Sequence, residues 1–403
     1  MGRRLELDAV RGWMLVWMVM THLPTKLPTY VNQPFGFISA TEGFIFLSAL
    51  FTGRIYFRLA ERSGYSAMRR KLGMRTLRLY GYHGLLLAFA FLVAVPLAAR
   101  GNRPGLHNLL DFYFKVGAPR AIVDAALLIY RPPLLDILPM YIIFLLATPL
   151  VLTVTKCQPW KYVIGGSFML WLLAQFGLRQ AGYDFVSHVF GMSIPLNAMG
   201  AFDLWAWQFM WILGLWLGVR WAKGDLPVES WARRFTIPAA FIFATFLAFR
   251  YVAAVTNLDF GSWEPLVDKW HFGVVRLFDF ASGAALLIRF QLVAKPLAIR
   301  PLVLLGQASL QVFCVHLLFC FAGLTVMGPN AMLTDWRQFA LLAATLLAMY
   351  LTAKIFSKSE SREPGTRQVI AVSSVPGGSE TNSKSLAAKE IGIREPKLAP
   401  SAK

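Results

Sequence analysis

The apolar positions of this chain occur in repeated continuous stretches, each long enough to form a helix that crosses a bilayer. Apolar and polar residues do not alternate within them, as they do in barrel strands, so helices are predicted rather than strands. We therefore predict an all-α polytopic membrane protein with about ten transmembrane helices. The predicted spans cover residues 9–26, 37–57, 80–99, 134–155, 162–178, 204–222, 235–255, 270–292, 301–326 and 338–356.

The distribution of polar residues divides the chain into two predicted parts. Residues 1–356 contain the spans and form the transmembrane domain, whereas residues 357–403 are rich in Ser, Gly, Pro and Lys and cannot bury a core. We expect the second part to be a disordered cytoplasmic tail. The N-terminus has the charged start and short apolar core of a signal peptide but no small-x-small cleavage site, so we expect it to be retained as the first span.

Composition and charge agree with this class of protein. The chain has 403 residues, of which 57% are apolar and 15% are charged. A net charge of +19 is typical of nucleic-acid binding, but most Lys and Arg residues lie in loops on the same side as the N-terminus. By the positive-inside rule, both termini are predicted to be cytoplasmic, and nucleic acid is not expected as a partner.

The cysteines give no sign of a disulfide framework or a metal site. Of the three cysteines, Cys314 and Cys320 flank His316 within one apolar stretch. A spacing of six residues points their two sulfur atoms in different directions on a helix, whereas zinc needs three or four converging ligands. We expect the two cysteines to be packing residues and expect no metal.

Two polar residues of the first span, Arg11 and His22, share one helix face. Eleven steps of about 100° return the helix to within about 20° of its starting direction. At about 1.5 Å per residue the two side chains stand roughly 16 Å apart, about half the depth of a bilayer core. A guanidinium near the membrane surface and an imidazole deep below it suit a function that connects the two depths.

Polar groups at membrane depth are costly, so each one is a candidate for function. His22 could deprotonate a hydroxyl or carry a proton, or its ring could simply be satisfied by a carbonyl. Asp8 can pair with Arg11 and fix its guanidinium. Glu42 could orient His22 or accept its proton; equally, it could cap its own helix in the headgroup zone.

Further charged residues complete the candidate site. Arg276 and Asp279 are expected to form an internal ion pair, more structural than catalytic, because they are three residues apart on one helix. Asp136 and His316 are the other polar candidates within or beside the spans. The dense basic segment from Arg58 to Arg78 either sets topology and contacts lipid headgroups or binds a phosphorylated ligand. We find no nucleophile elbow, phosphate-binding glycine loop or HExxH motif, so a soluble type of hydrolase is not indicated.

Together these elements resemble the membrane-bound acyltransferase-3 superfamily, and most closely its OpgC-like branch, which succinylates osmoregulated periplasmic glucans. The resemblance covers about residues 4–350. It rests on Leu-Asp-Ala-Val-Arg-Gly at 7–12 followed by His22, on GFIFLSALF at 43–51, where Ala49 replaces a common Gly, on RRKLGMRTLRLY at 69–80, on LLDILPMYIIFLLATP at 134–149, on AFDLWAWQFMWILGLWLG at 201–218, and on LGQASLQVFCVH at 305–316.

The resemblance implies that an acyl group, with succinyl the leading example, moves from a cytoplasmic acyl-CoA to a hydroxyl of a periplasmic glucan. It suggests that His22 is a general base or transient acyl carrier, with Glu42 and Asp8 as the other catalytic candidates. The candidate substrate-binding residues are Arg11, Arg70, Arg75, Arg78, Asp136, Arg276, Asp279 and His316. No tightly bound cofactor is expected. The protein is predicted to lie in the bacterial inner membrane, in contact with its lipids. Whether it forms oligomers is left open.

Two alternatives stay open from the sequence. One is a proton-coupled transporter or flippase of a glycan, in which His22 and Glu42 relay protons without covalent chemistry. The paired, broken helices and repeat symmetry typical of transporters are not evident in the sequence. The other alternative is an acyltransferase of the same mechanism that acts on lipid or on a surface polysaccharide.

Overall fold

A computed structural model describes residues 5–225, 228–290, 298–330 and 332–360, and in this part of the chain the regular structure is helical. The only strand-like pairings there are two isolated bridges, Thr25 with Leu333 and Phe35 with Ile38. The prediction of an all-α protein is therefore confirmed. The predicted tail falls almost entirely on residues 361–403, which lie outside the described residues.

The first half of the chain, from residue 5 onward, forms ten α-helices. Their bounds are α1 Leu5–His22, α2 Leu27–Val31, α3 Ala40–Phe89, α4 Val95–Arg100, α5 Pro104–Leu109, α6 Asp111–Val116, α7 Ala118–Ala126, α8 Ile137–Cys157, α9 Trp160–Gln175 and α10 Leu178–Phe190. A π-helical turn, Ala90–Ala94, connects α3 to α4, and Pro96 in the first turn of α4 follows it.

The described residues of the second half add eight α-helices and two 3₁₀ turns. Their bounds are α11 Leu204–Lys223, α12 Val228–Arg234, α13 Thr236–Thr256, α14 Glu264–Val267, α15 Val274–Arg289, α16 Arg300–Gln307, α17 Ser309–Met327 and α18 Trp336–Glu360, with 3₁₀ turns at Leu196–Met199 and Gly261–Trp263. Helix α18 continues through residue 360, beyond the predicted start of the tail at residue 357.

Six helical segments among the described residues are long and apolar enough to cross a membrane, or seven if the bent pair α9 and α10 counts as one span. This makes the chain a multi-pass membrane protein; the count of about ten spans and the orientation stay predictions. Helices α1 and α15 do not belong to the six, although both lie in predicted spans. Helix α1 carries Glu6, Asp8 and Arg11, and α15 is only 16 residues long and carries Arg276 and Asp279.

Helix α3 folds back on itself at Gly64, which has φ 81° and ψ 161° and so lies outside the helical region. The Arg75 guanidinium, eleven residues after this break, donates a hydrogen bond of 3.2 Å to Thr52 Oγ1, twelve residues before it. The two arms, 40–63 and 65–89, therefore run side by side. Residues 58–79, expected as a cytoplasmic loop, are instead the helical tip of this hairpin, with Gly64 supplying the backbone conformation that the reversal needs.

Helices α9 and α10 are bent by 81° relative to each other at Gly177, which has a left-handed backbone conformation. No broken helix was evident from the sequence, and a span was predicted at residues 162–178, so the bend corrects that prediction. A single glycine in an apolar segment is compatible with either a continuous helix or a break, and periodicity does not distinguish the two.

Helix α1 lies against α3, α16 and α17, and its backbone touches that of α16. A Cβ atom at Gly12 would collide with the Leu302 carbonyl oxygen, and one at Gly306 would collide with the Asp8 carbonyl oxygen. The two glycines thus let α1 and α16 approach more closely than larger residues would allow, as small residues do at membrane helix interfaces. This contact determines where α1 holds Arg11 and His22 relative to α16 and the adjoining α17.

Candidate functional site

Two histidines from opposite ends of the chain meet at the centre of the candidate site. His22 is the last residue of α1, and His316 lies in the middle of α17. The Nδ1 atom of His22 is 3.2 Å from the Nε2 atom of His316, and the rings are nearly parallel, with 5.5 Å between their centroids. His316 is fully buried and packs edge-on against Phe313, whereas His22 is half-buried.

The direction of this hydrogen bond decides which atom can act as a base. If His22 Nδ1 donates, its Nε2 atom keeps a lone pair and is a proton acceptor; if His316 Nε2 donates, His22 Nε2 carries the proton instead. His22 Nε2 forms no hydrogen bond with a described residue. The first arrangement therefore leaves an accessible basic nitrogen on a half-buried ring that its partner histidine holds in place.

Arg11 lies between aromatic rings on the same helix as His22. Its Nη2 atom donates a hydrogen bond of 2.5 Å to Ser309 Oγ, in the first turn of α17. Its guanidinium carbon is 5.8 Å from the centre of the Phe44 ring and 5.5 Å from that of Phe51. Since Arg11 and His316 both contact their partners across the α1 and α17 interface, one helix pair positions both groups.

Glu42 is fully buried near the start of α3 and has two partners. Its Oε2 atom accepts hydrogen bonds from the backbone N and Oγ of Ser39, at 2.9 and 2.5 Å. Its Oε1 atom forms an ion pair with Arg276 Nη1 at 2.6 Å. The expected capping role is thus present, although the residue is buried. Within the described residues Glu42 makes no hydrogen bond with His22, whose polar partner is His316.

The predicted ion pair between Arg276 and Asp279 is wrong. Arg276 instead joins Glu42 to the backbone, since its Nε atom donates to the Val267 carbonyl at 2.8 Å while Nη1 binds the carboxylate. The Oδ2 atom of Asp279 accepts the backbone N–H of Phe37 at 2.6 Å. Spacing along α15 permitted a local pair, but both side chains form hydrogen bonds outside α15, Arg276 with Glu42 and Val267 and Asp279 with Phe37.

Asp136, just before α8, holds the backbone of a neighbouring loop. Its Oδ2 atom accepts the N–H of Ala201 at 3.1 Å, and burial raises the pKa of this carboxyl group. Arg131 is also buried, and burial lowers its pKa to about 10. The Arg179 guanidinium donates to the carbonyls of Gly200 and Ala201. These side chains fix the turn that precedes α11, which is a positional role for Asp136.

A lysine that sequence reasoning missed, Lys269, lies in the loop between α14 and α15. It is half-buried and makes no hydrogen bond or ion pair with a described residue. Burial lowers the pKa of its ammonium group, while the carboxylates of Glu42 and Asp136 counteract this and Arg276 adds to it. The charge of Lys269 also acts on the His22 imidazole. Periodicity says nothing about loop residues, so the only available signal was a Lys next to Trp270 at a span boundary.

The basic candidates on α3 do not converge with the histidine pair. Arg70 and Arg78 are exposed, and Arg75 is held by Thr52 and by the Tyr56 ring at 5.8 Å. Asp8 is buried in the first turns of α1, where its carbonyl faces Gly306. Among the described residues, no three His, Cys, Asp or Glu side chains are grouped as metal ligands would be.

Comparison with protein families gives one match, to the model described as OpgC protein, over residues 3–361. The chain belongs to the OpgC family. The OpgC match includes all of the helices described above, so the histidine pair and the Arg276–Glu42 ion pair lie within the family's domain. The close contact between α1 and α16 also lies within the matched residues. Comparison with curated proteins finds no match, and comparison with solved structures finds none either.

Proposed function

We propose that this OpgC-family chain is an O-acyltransferase of the bacterial inner membrane and belongs to the acyltransferase-3 superfamily. It moves an acyl group, succinyl in the first instance, from cytoplasmic acyl-CoA to a hydroxyl group of a periplasmic glucan. The observation that carries the proposal is the contact between His22 Nδ1 and His316 Nε2, because it gives a membrane-embedded imidazole a defined orientation.

The placement of two polar groups on α1 supports transfer across the membrane. Arg11 lies in the N-terminal half of the helix and His22 at its C-terminal end, roughly 16 Å further along the axis. A guanidinium is well suited to bind the phosphates of CoA, since its fork of donors matches phosphate oxygens. With the phosphates at Arg11, the extended pantetheine arm would carry the thioester towards His22.

The chemical step is a proton transfer coupled to acyl transfer. His22 Nε2 accepts the proton of the glucan hydroxyl while the hydroxyl oxygen forms a bond to the thioester carbonyl carbon. The carbon–sulfur bond then breaks, and the proton passes from His22 to the departing thiolate. The products are an acylated glucan and CoA. Attack by His22 Nε2 itself, followed by transfer from an acyl-histidine, gives the same products in two steps.

The test is acyl transfer by the purified full chain in proteoliposomes. Vesicles are loaded with periplasmic glucan, succinyl-CoA is added outside, and glucan succinyl esters are measured by mass spectrometry. We expect esters with the wild type and none above background with His22→Ala. His188→Ala is the matched control, because His188 is exposed on α10 and should not affect transfer. Ester formation by His22→Ala at the wild-type rate would refute the assignment.

The 81° bend between α9 and α10 is the one observation that favours a flippase, since broken helices are common in transporters. The two functions differ in the product. A flippase would move unmodified glucan across the vesicle membrane without consuming succinyl-CoA. Glucan movement without ester formation, in the same vesicles, would therefore replace the acyltransferase proposal with the flippase.

A further inference from the structure

The loop 267–273, which carries Lys269, is held in place by its own carbonyl groups. The carbonyl of Trp270 accepts hydrogen bonds from the backbone N of Asp203 and from Trp207 Nε1, at 3.0 and 3.1 Å. The Phe272 carbonyl accepts one from Trp171 Nε1 at 3.0 Å. Bonds to α9, to Asp203 and to α11 thus fix the backbone that directly follows the lysine.

The same loop is tied to the candidate site through Arg276. This guanidinium binds the Val267 carbonyl, two residues before Lys269, and the Glu42 carboxylate at the same time. Within the loop, Asp268 is occupied by His271, whose N–H and Nδ1 both contact its Oδ2 atom. Of the charged side chains in 267–273, Lys269 therefore has no polar partner among the described residues.

The surrounding charges do not neutralise Lys269 directly. Glu42 is engaged by Arg276 and Ser39, and Asp136 is engaged by the backbone of Ala201. The Lys269 ammonium interacts with both carboxylates only over a distance, and it acts on His22 in the same way. The Lys269 ammonium lies 5.1 Å from the centre of the Trp270 ring and has no hydrogen-bond acceptor among the described residues. A half-buried ammonium of this kind is a candidate binding site for an anionic group.

We propose that Lys269 binds the free carboxylate of a dicarboxylic acyl group, such as succinyl, while the thioester carbonyl lies at His22. The proposal rests on the proposed function and deepens it, because it makes Lys269 a residue that determines which acyl group is transferred. A succinyl group has its carboxylate two methylene groups beyond the reacting carbonyl, so two cations at different depths could bind the two ends of the donor. Arg11 would hold the phosphates, and Lys269 would hold the carboxylate.

The experiment compares succinyl-CoA with succinamoyl-CoA, in which a neutral amide of the same shape replaces the carboxylate. We measure kcat/KM for both donors with the full chain in proteoliposomes, for wild type, Lys269→Met and Lys269→Arg. Loss of one partner of a desolvated charge pair typically costs at least 2 kcal/mol, which is about 30-fold. We expect the wild type to prefer succinyl-CoA by about 30-fold or more, Lys269→Met to reduce the ratio to about one, and Lys269→Arg to keep a preference.

Lys115→Met is the matched control, since Lys115 lies on α6, has a side chain that is 69% exposed and pairs with Asp111. It should keep the wild-type ratio. An equal preference in wild type and Lys269→Met would overturn the role of Lys269 while leaving the acyltransferase proposal intact. A wild-type ratio near one would do the same, even if the methionine variant fails to fold. A wild type that transfers neither acyl group would overturn the proposed function as well.

A change confined to the KM for glucan would mean that Lys269 binds the acceptor instead of the donor. This outcome would also overturn the proposal. The two donors share CoA and chain length and differ in one charged group, so their ratio isolates the effect of the carboxylate from any general loss of activity.

Discussion

The Nδ1 atom of His22 lies 3.2 Å from the Nε2 atom of His316, although 294 residues separate them in the chain. A hydrogen bond to one nitrogen of an imidazole fixes both the orientation of the ring and the tautomer, and thereby the properties of the other nitrogen. His316 touches neither thioester nor hydroxyl in the proposed reaction, so it is a positioning residue for His22.

The role of His316 predicts a specific kinetic pattern. His316→Ala should lower kcat about 100-fold, within the range attributed to general acid–base catalysis, with the donor KM unchanged. His316→Gln should recover part of kcat, because its amide oxygen can accept the Nδ1 proton of His22. Initial rates in the proteoliposome assay check both variants. A loss of the same size in both variants, with a changed KM, would indicate a structural role only.

Arg11 is expected to bind the donor. Arg11→Ala should raise the KM for acyl-CoA about tenfold or more with a small change in kcat, since hydrogen bonds to charged groups contribute about 1.5–3 kcal/mol. Arg11→Lys should be intermediate, because an ammonium keeps the charge but loses the fork. Arg233→Ala, on the exposed side of α12, is the control. An unchanged apparent affinity for the donor would argue against this role.

The close contact between α1 and α16 predicts sensitivity to a single methyl group. Gly306→Ala places a Cβ atom against the Asp8 carbonyl and should reduce the free energy of unfolding by about 1–3 kcal/mol. Gly73→Ala is the matched control, since Gly73 is also helical and has no atom within 4 Å of the added methyl group. That variant should be neutral or slightly stabilised. Thermal unfolding in detergent compares them, and equal midpoints would contradict the tight interface.

The loop pair His271 and Asp268 predicts a pH dependence of stability. The hydrogen bond from His271 to Asp268 raises the pKa of the imidazole above its ordinary value of 6.5. Burial opposes ionisation of Asp268, but the hydrogen bonds from His271 outweigh it and the pKa of this carboxyl group is lowered from 3.8. The contribution of His271 to the free energy of unfolding is therefore fully present below pH 6.5, and it is lost as the pH rises through the raised pKa of the imidazole.

His271→Gln should accordingly lower the unfolding midpoint most between about pH 4 and pH 6.5, and the difference from wild type should shrink as the pH rises through the raised pKa of His271. Below about pH 4 it should shrink again, as Asp268 becomes protonated. His188→Gln, on the exposed face of α10, should show no such profile. A constant difference across the whole range would exclude a charged pair.

The helical class and the polar candidates were predictable because each depends on local sequence. Continuous apolar stretches indicate helices, and His22, His316, Glu42 and Arg276 were all singled out as polar residues in apolar surroundings. Which of them meet was not predictable. Helical spacing favoured Asp279 as the partner of Arg276, but Glu42 of α3 forms the pair, because packing brings in groups that no local pattern contains.

Loop geometry and helix breaks were the other features that the sequence did not disclose. The position of the loop that carries Lys269 depends on hydrogen bonds from α9 and α11 to the carbonyls of Trp270 and Phe272, which periodicity cannot encode. The reversal at Gly64 and the bend at Gly177 depend on single glycines that a helix would also tolerate. These are the places where tertiary contacts, rather than local preference, determine the backbone.

The contact between Gly12 and α16 has a consequence for biosynthesis. Helix α1 leaves the ribosome long before α16, the surface against which Gly12 packs, which is made almost 300 residues later, roughly 15 to 60 s at ordinary rates of translation. During that interval the polar side chains of α1 must be shielded within the bilayer by other neighbours. The proposed enzyme would therefore become able to catalyse acyl transfer only in the last stage of membrane insertion, when α1 packs against α16 and α17.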